Sequence, residues 1–131
     1  MRVVTAAVWL VTTGFGIYLL CLWLAGGGLR RQRTKVTRYP SVLIIMHPAL
    51  GVTSLAAWAA FVLTARRGYI WLSLGLLCLA TLLGFVMFTR WLGGGRHARD
   101  AEQGFPVLPV ILHGLAGILT FILILLAATT M

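Results

Sequence analysis

Two apolar segments of the chain each contain one histidine in the same sequence frame. YPSVLIIMHPALG (39–51) and FPVLPVILHGLAG (105–117) both read aromatic residue, proline, six residues, histidine, three residues, glycine, and they begin 66 positions apart. An ionisable side chain inside an apolar segment is costly in a bilayer and usually marks a functional site. Neutral imidazole nitrogens are also common metal ligands. The spacing therefore predicts that His47 and His113 are metal ligands.

The segments that carry the histidines belong to a chain whose composition is typical of an integral membrane protein. Of its 131 residues, 60% are hydrophobic and 10% are charged, and the mean hydropathy is +0.99. A helix of roughly 20 apolar residues crosses the hydrocarbon core of a bilayer. The sequence thus predicts an all-α, single-domain four-helix bundle over residues 1–131, with helices near 3–26, 40–65, 69–91 and 105–129.

The basic residues predict how this bundle is oriented. With Arg90 included, the first and third connections contain eight of the eleven Lys and Arg residues. Cytoplasmic loops carry the excess of positive charge in membrane proteins. We therefore expect the loops 27–39 and 92–104 to be cytoplasmic and both termini to lie outside, in a prokaryotic cytoplasmic membrane. The net charge of +9 is explained by topology and does not indicate a nucleic-acid partner.

A repeated sequence suggests that the bundle arose by duplication. WLAGGGLRR (23–31) follows the first apolar run and WLGGGRHAR (91–99) follows the third. This similarity predicts two tandem-duplicated helical hairpins, 1–66 and 67–131, related by a pseudo-two-fold axis along the membrane normal. The two histidines then lie on parallel, diagonally placed helices, each about 10 Å past its helix start at about 1.5 Å per residue. At that depth, two imidazoles that point at the bundle axis can share one metal, such as a porphyrin iron.

Small residues beside the histidines agree with a flat ligand. Gly51 and Gly117 each follow a histidine by four residues, so each lies on the same helix face one turn away. These glycines, together with Gly114, would leave room for a macrocycle. The propionates of a haem would need cations near the cytoplasmic surface, and the adjacent loops offer Arg30, Arg31, Arg96 and Arg99.

Other interpretations of the histidines stay open. An intramembrane histidine can be a hydrogen-bonded packing residue, or each histidine could bind its own chlorophyll-type pigment through magnesium. His97 is expected to be a solvated loop residue. No Asp or Glu lies in any apolar run, which disfavours a proton- or cation-coupled transporter.

HPAL (47–50) with Gly51, and LHGLAG (112–117), resemble the ligand segments of small transmembrane b-type cytochromes. This resemblance implies one non-covalent haem b with His47 and His113 as axial ligands, and a role in electron transfer. Members with two haems carry four ligand histidines, whereas this chain has none in its first or third run, so it supports at most one haem.

The function expected from the sequence is that of an electron-transfer subunit rather than a stand-alone enzyme. Its partners would be the lipid bilayer, the other subunits of a larger quinone-linked or respiratory oxidoreductase, and a quinone. The alternative is a non-catalytic accessory or scaffold subunit of a respiratory or photosynthetic membrane complex, in which the histidines serve packing or pigment binding.

Overall fold

The computed structural model describes residues 2–31, 39–93 and 105–130. Four helices in these ranges are long and apolar enough to cross a membrane, so the prediction of an all-α chain with four helices able to span a membrane is confirmed. Their ends differ from the predicted ends by at most two residues. A short additional helix lies in the first connection, which was predicted to be a loop throughout. The helices are α1 (Arg2–Ala25), α2 (Gly28–Arg31), α3 (Ser41–Thr64), α4 (Arg67–Trp91) and α5 (Val107–Thr130).

Local backbone features explain where the long helices begin and end. Pro40, whose ring suits a helix start, precedes α3. Ala65 ends α3 in the left-handed conformation, with φ 56°, and its N–H donates to the carbonyl of Phe61 at 2.8 Å. Gly27 and Gly93 follow the ends of α1 and α4 with φ of +79° and +95°, a conformation that glycine adopts without strain. A turn of only two residues connects α3 and α4.

The four long helices pack as two close pairs. α3 packs most extensively on α4, and α1 on α5, while α4 also packs on α5. α1 and α3 make much less contact, although they too are neighbours. This arrangement places α3 and α5 on one diagonal of the bundle, and α1 and α4 on the other. We call the end with the α3–α4 connection the turn end, and the opposite end the loop end.

The buried core is divided into two clusters, one towards each end. The loop-end cluster consists of Trp23, Tyr39 and Ile44, with Trp91 and Phe105 among the residues packed against it. The turn-end cluster is larger and consists of Trp9, Trp58, Phe61, Ile70, Leu77, Ile124, Ala127 and Ala128. Two of the three residues of the loop-end cluster and three of the eight of the turn-end cluster are aromatic, and rings of this size bury large apolar areas.

Hydroxyl groups join the helices within each close pair. Ser54 on α3 and Ser73 on α4 are fully buried, and each hydroxyl donates to the other residue's carbonyl, at 2.8 and 2.9 Å. The hydroxyls of Thr12 on α1 and Thr120 on α5 lie 3.1 Å apart. Such bonds satisfy buried polar groups and contribute modestly to helix association in membranes.

Candidate functional site

The two histidines meet inside the bundle although their helices are diagonal partners. The ring centroids of His47 and His113 are 5.9 Å apart, and the ring planes make an angle of 78°. Both side chains are half-buried. His47 is the seventh residue of α3 and His113 the seventh of α5, so both lie at the same depth from the loop end. The structure therefore brings together the two residues that the sequence predicted to be metal ligands.

Each imidazole is held by a backbone carbonyl of the helix that packs closely against its own. Nδ1 of His47 lies 2.8 Å from the carbonyl oxygen of Ala80 on α4. Nδ1 of His113 lies 2.9 Å from the carbonyl oxygen of Thr12 on α1. Because a carbonyl only accepts hydrogen bonds, Nδ1 is the protonated nitrogen in each ring, and a neutral ring then has its lone pair at Nε2.

The Nε2 nitrogen of each ring takes no part in these two hydrogen bonds. Neither Nε2 has a hydrogen-bond partner within the described parts of the chain. In metal sites, a histidine ligand commonly donates its second ring N–H to a backbone carbonyl, which fixes the tautomer and the ring orientation. Both histidines therefore have the hydrogen bonding of preoriented Nε2 ligands.

Two glycines permit the close approach of the rings to the neighbouring helices. A Cβ atom on Gly84 of α4 would lie 3.1 Å from Cε1 of His47, and one on Gly16 of α1 would lie 3.1 Å from Cε1 of His113. Both distances are shorter than ordinary van der Waals contact. Glycine at these positions lets the imidazoles lie against the helix backbone.

The side chains at the level of the histidines are less buried than those of the two core clusters. No residue is buried in 10–22 of α1, 45–53 of α3, 81–91 of α4 or 107–119 of α5. The interior at this level is therefore formed by partly buried side chains, the two histidines among them.

The separation of the two rings is comparable to that in a bis-histidine metal site, although two imidazoles are too few ligands for a bare ion. Two imidazoles on opposite sides of one metal place their ring centroids about 6.3 Å apart, from a metal–nitrogen bond of about 2.0 Å and about 1.15 Å between nitrogen and ring centre. The observed 5.9 Å is close to this value. In the described residues no group of three or more His, Cys, Asp or Glu side chains converges. Two histidines alone would leave a bare ion underligated, whereas a porphyrin supplies four nitrogens in a plane.

The other predicted site residues have less defined surroundings. A Cβ on Gly51 or Gly114 would meet nothing within 4 Å, and one on Gly117 would lie 3.9 Å from Cγ2 of Thr12. Their role in leaving room for a macrocycle stays a prediction. Arg30 is exposed and borders an open cavity at the loop end, and Arg31 ends α2. Arg96, Arg99 and His97 lie outside the described residues.

Sequence reasoning missed the groups that orient the histidines, which are the carbonyls of Thr12 and Ala80 and the glycines Gly16 and Gly84. A common offset in the sequence relates them in pairs, although it does not single them out. Trp23 and Trp91 in the repeated sequence are 68 positions apart, and this same offset relates Thr12 to Ala80 and Gly16 to Gly84.

Comparisons of the chain with protein-family models, with curated proteins and with solved structures found no match.

Proposed function

We propose that the chain is an integral membrane electron-transfer protein that binds one b-type haem between His47 and His113. It would act as a subunit of a larger quinone-linked or respiratory oxidoreductase. The observation that carries the proposal is the pair of imidazoles, 5.9 Å apart on diagonal helices, each with Nδ1 bonded to a backbone carbonyl and Nε2 free. A bound haem would supply a reversible one-electron couple.

In this proposal the chain holds, orients and shields the cofactor. His47 and His113 would bind the iron through Nε2, and their bonds to the backbone carbonyls would keep the rings in place and make them better donors. The two core clusters would keep water away from the site at the loop end and at the turn end. A site from which water is excluded, with two neutral ligands and no acidic side chain among the described residues, would set the potential of the couple.

Cations would orient the cofactor along the bundle. The propionates would lie towards the loop end, because Arg30 and Arg31 follow α1 there and the second basic connection contains Arg96 and Arg99. On the charge distribution we place this end, with the loops 27–39 and 92–104, on the cytoplasmic side of a prokaryotic membrane.

A duplicated hairpin with a pseudo-two-fold axis is part of the proposal. Two sets of offsets support it. Residues of α3 correspond to residues of α5 66 positions later, as His47 does to His113 and Tyr39 to Phe105. Residues of α1 correspond to residues of α4 68 positions later, and each histidine uses the equivalent carbonyl and glycine of the other repeat.

The test is to purify the full chain in detergent, after expression with added haem precursor, and to record reduced-minus-oxidised absorption spectra. We expect a low-spin b-type signal that His47→Ala and His113→Ala each abolish or convert to high spin. His97→Ala is the matched control, since it removes the remaining histidine of the chain and should leave the spectrum intact. A chain without haem, or a low-spin spectrum that survives either ligand substitution, would reject the proposal.

A second candidate, the accessory or scaffold subunit, is favoured by the same hydrogen bonds. Both Nδ1 bonds join neighbouring helices and need no ligand to form, as in histidines that only pack. This candidate predicts a stable, colourless protein in the experiment above. Two separate pigments fit less well, because two macrocycles would have to lie between imidazoles whose centroids are 5.9 Å apart.

A further inference from the structure

An open cavity lies at the loop end, where α1 leaves the membrane span. Its volume is about 440 Å³. The span ends at Ala25, and the headgroup region of a bilayer borders its hydrocarbon core. The cavity therefore begins at the level of the lipid headgroups. It is lined by Leu24, Ala25, Gly26, Gly27, Leu29 and Arg30.

The cavity opens on the outer side of the bundle. Leu24 and Leu29 are 46% and 57% exposed, and Ala25 is exposed as well. Trp23, the residue before Leu24, is instead buried in the loop-end cluster. An occupant of the cavity would therefore lie beside the surrounding lipid and not between the two histidines.

Arg30 supplies the positive charge of this cavity. Its side chain is exposed and makes no hydrogen bond or ion pair with any described residue. The backbone N–H groups of Gly26, Gly27 and Arg30 already donate to carbonyls of the chain. α1 also ends here, and the C-terminus of a helix carries a partial negative charge. An anion in the cavity would thus be held by the guanidinium and not by the backbone.

The sequence after α1 adds more positive charge to this end of the helix. Positions 30–38 contain five Lys or Arg residues and no Asp or Glu, whereas the second basic connection contains both acidic residues of the chain. Clusters of roughly four to eight basic residues at the cytoplasmic end of a span are typical of segments that bind anionic lipids. The five residues are Arg30, Arg31, Arg33, Lys35 and Arg38.

We propose that the cavity binds the headgroup of an anionic phospholipid, with the Arg30 guanidinium donating to the phosphate. A guanidinium can donate two parallel hydrogen bonds to a phosphate, and Leu24 and Leu29 offer apolar surface to the acyl chains. A zwitterionic headgroup would bring a cation of its own beside five basic residues. The site needs no haem, so it goes beyond the proposed function, and the orientation proposed above places it in the cytoplasmic leaflet.

The test uses the full-length chain in detergent and phosphatidylglycerol with brominated acyl chains, which quench tryptophan fluorescence. Trp23 directly precedes the residues that line the cavity. We expect saturable quenching, and weaker binding of brominated phosphatidylcholine. Arg30→Gln should weaken binding of the anionic lipid about 5-fold, the contribution of one basic residue near a membrane surface, and should narrow the difference between the two lipids.

Two further variants separate the cavity from general attraction between charges. Ala25→Phe keeps every charge and fills part of the cavity, so it should also weaken binding. Arg66→Gln removes the same charge from an exposed position at the turn end and should leave binding unchanged. Equal losses in Arg30→Gln and Arg66→Gln, or full binding by Ala25→Phe, would overturn the site, because binding would then depend on net charge alone.

The haem spectrum of Arg30→Gln separates this proposal from the previous one. Weaker lipid binding by this variant in a chain without haem would support the lipid site and reject the haem. An altered haem spectrum with unchanged lipid binding would overturn the lipid site and assign Arg30 to the propionates. Displacement of the brominated lipid by inorganic phosphate at a comparable concentration would also overturn it, because a site for free phosphate needs no acyl chains.

Discussion

The contact of each histidine with a glycine predicts a specific effect of alanine. A Cβ on Gly84 would lie 3.1 Å from Cε1 of His47, and ordinary contact begins at 3.4 Å, so the ring must withdraw by at least the 0.3 Å difference. The ring is tied to the carbonyl of Ala80 on the same helix at 2.8 Å. Withdrawal from Gly84 therefore stretches this hydrogen bond towards its outer limit. The same argument holds for Gly16 and His113.

Two opposing terms give the size of the effect. Alanine in a helix interior is more favourable than glycine by about 0.8–1.0 kcal/mol. Gly75→Ala makes the same gain, so the two variants differ by the cost of displacing a packed ring and stretching its hydrogen bond, about 1–3 kcal/mol. Gly75 on α4 is the matched control, because a Cβ there would meet nothing within 4 Å. We expect Gly84→Ala to be less stable than Gly75→Ala by about 1–3 kcal/mol.

The assay is reversible unfolding in mixed micelles titrated with sodium dodecyl sulfate and followed by circular dichroism. On α1 the matched comparison is Gly16→Ala against Gly14→Ala, since a Cβ on Gly14 also meets nothing within 4 Å. Equal stability of the contact variants and their controls would refute the view that α1 and α4 hold the imidazoles. In haem-bound protein, displaced ligands should also change the electron paramagnetic resonance g-values of the oxidised form.

Two further substitutions test the packing of the bundle. Ala65→Gly should raise the free energy of unfolding by about 0.5–1 kcal/mol, because Ala65 has φ 56° and glycine adopts that conformation without steric cost; no gain in the micelle titration would contradict this. Ser54→Ala should lower it by about 0.6 kcal/mol, and by at most about 1.7, because the carbonyl of Ser73 loses the hydroxyl that donates to it. Its control is Thr53→Ala, whose hydroxyl is exposed and bonds only within α3, and equal losses in the two variants would argue against the interhelical bond.

The features that the sequence predicted depend on composition and on periodicity within one helix. The four spans follow from the length of apolar runs, and their ends from residues such as Pro40 and Gly93. The depth of His47 and His113 follows from their equal distance from the helix starts. The placement of the two helices on one diagonal was expected for an up-down bundle, and their rings meet because both side chains extend into the bundle interior.

The features that were missed depend on contacts between helices. Gly51 and Gly117 were chosen because residues four apart share a face of one helix. The glycines that touch the imidazoles are Gly16 and Gly84, on other helices, and their proximity depends on how closely α1 approaches α5 and α4 approaches α3. Backbone carbonyls such as that of Ala80 are present at every residue, so no pattern of side chains identifies the one that a histidine selects.

The two histidine–carbonyl bonds differ greatly in sequence separation, and this has a consequence for biogenesis. His47 and Ala80 are 33 residues apart, in a hairpin closed by a two-residue turn, whereas His113 and Thr12 are 101 residues apart. Local contacts form before distant ones, and synthesis proceeds from the N-terminus. We therefore expect α3 and α4 to associate before α5 has been synthesised and can pack against α1. The half of the site that contains His47 and Ala80 is then assembled early. A ligand can contact both histidines only after α5 has inserted.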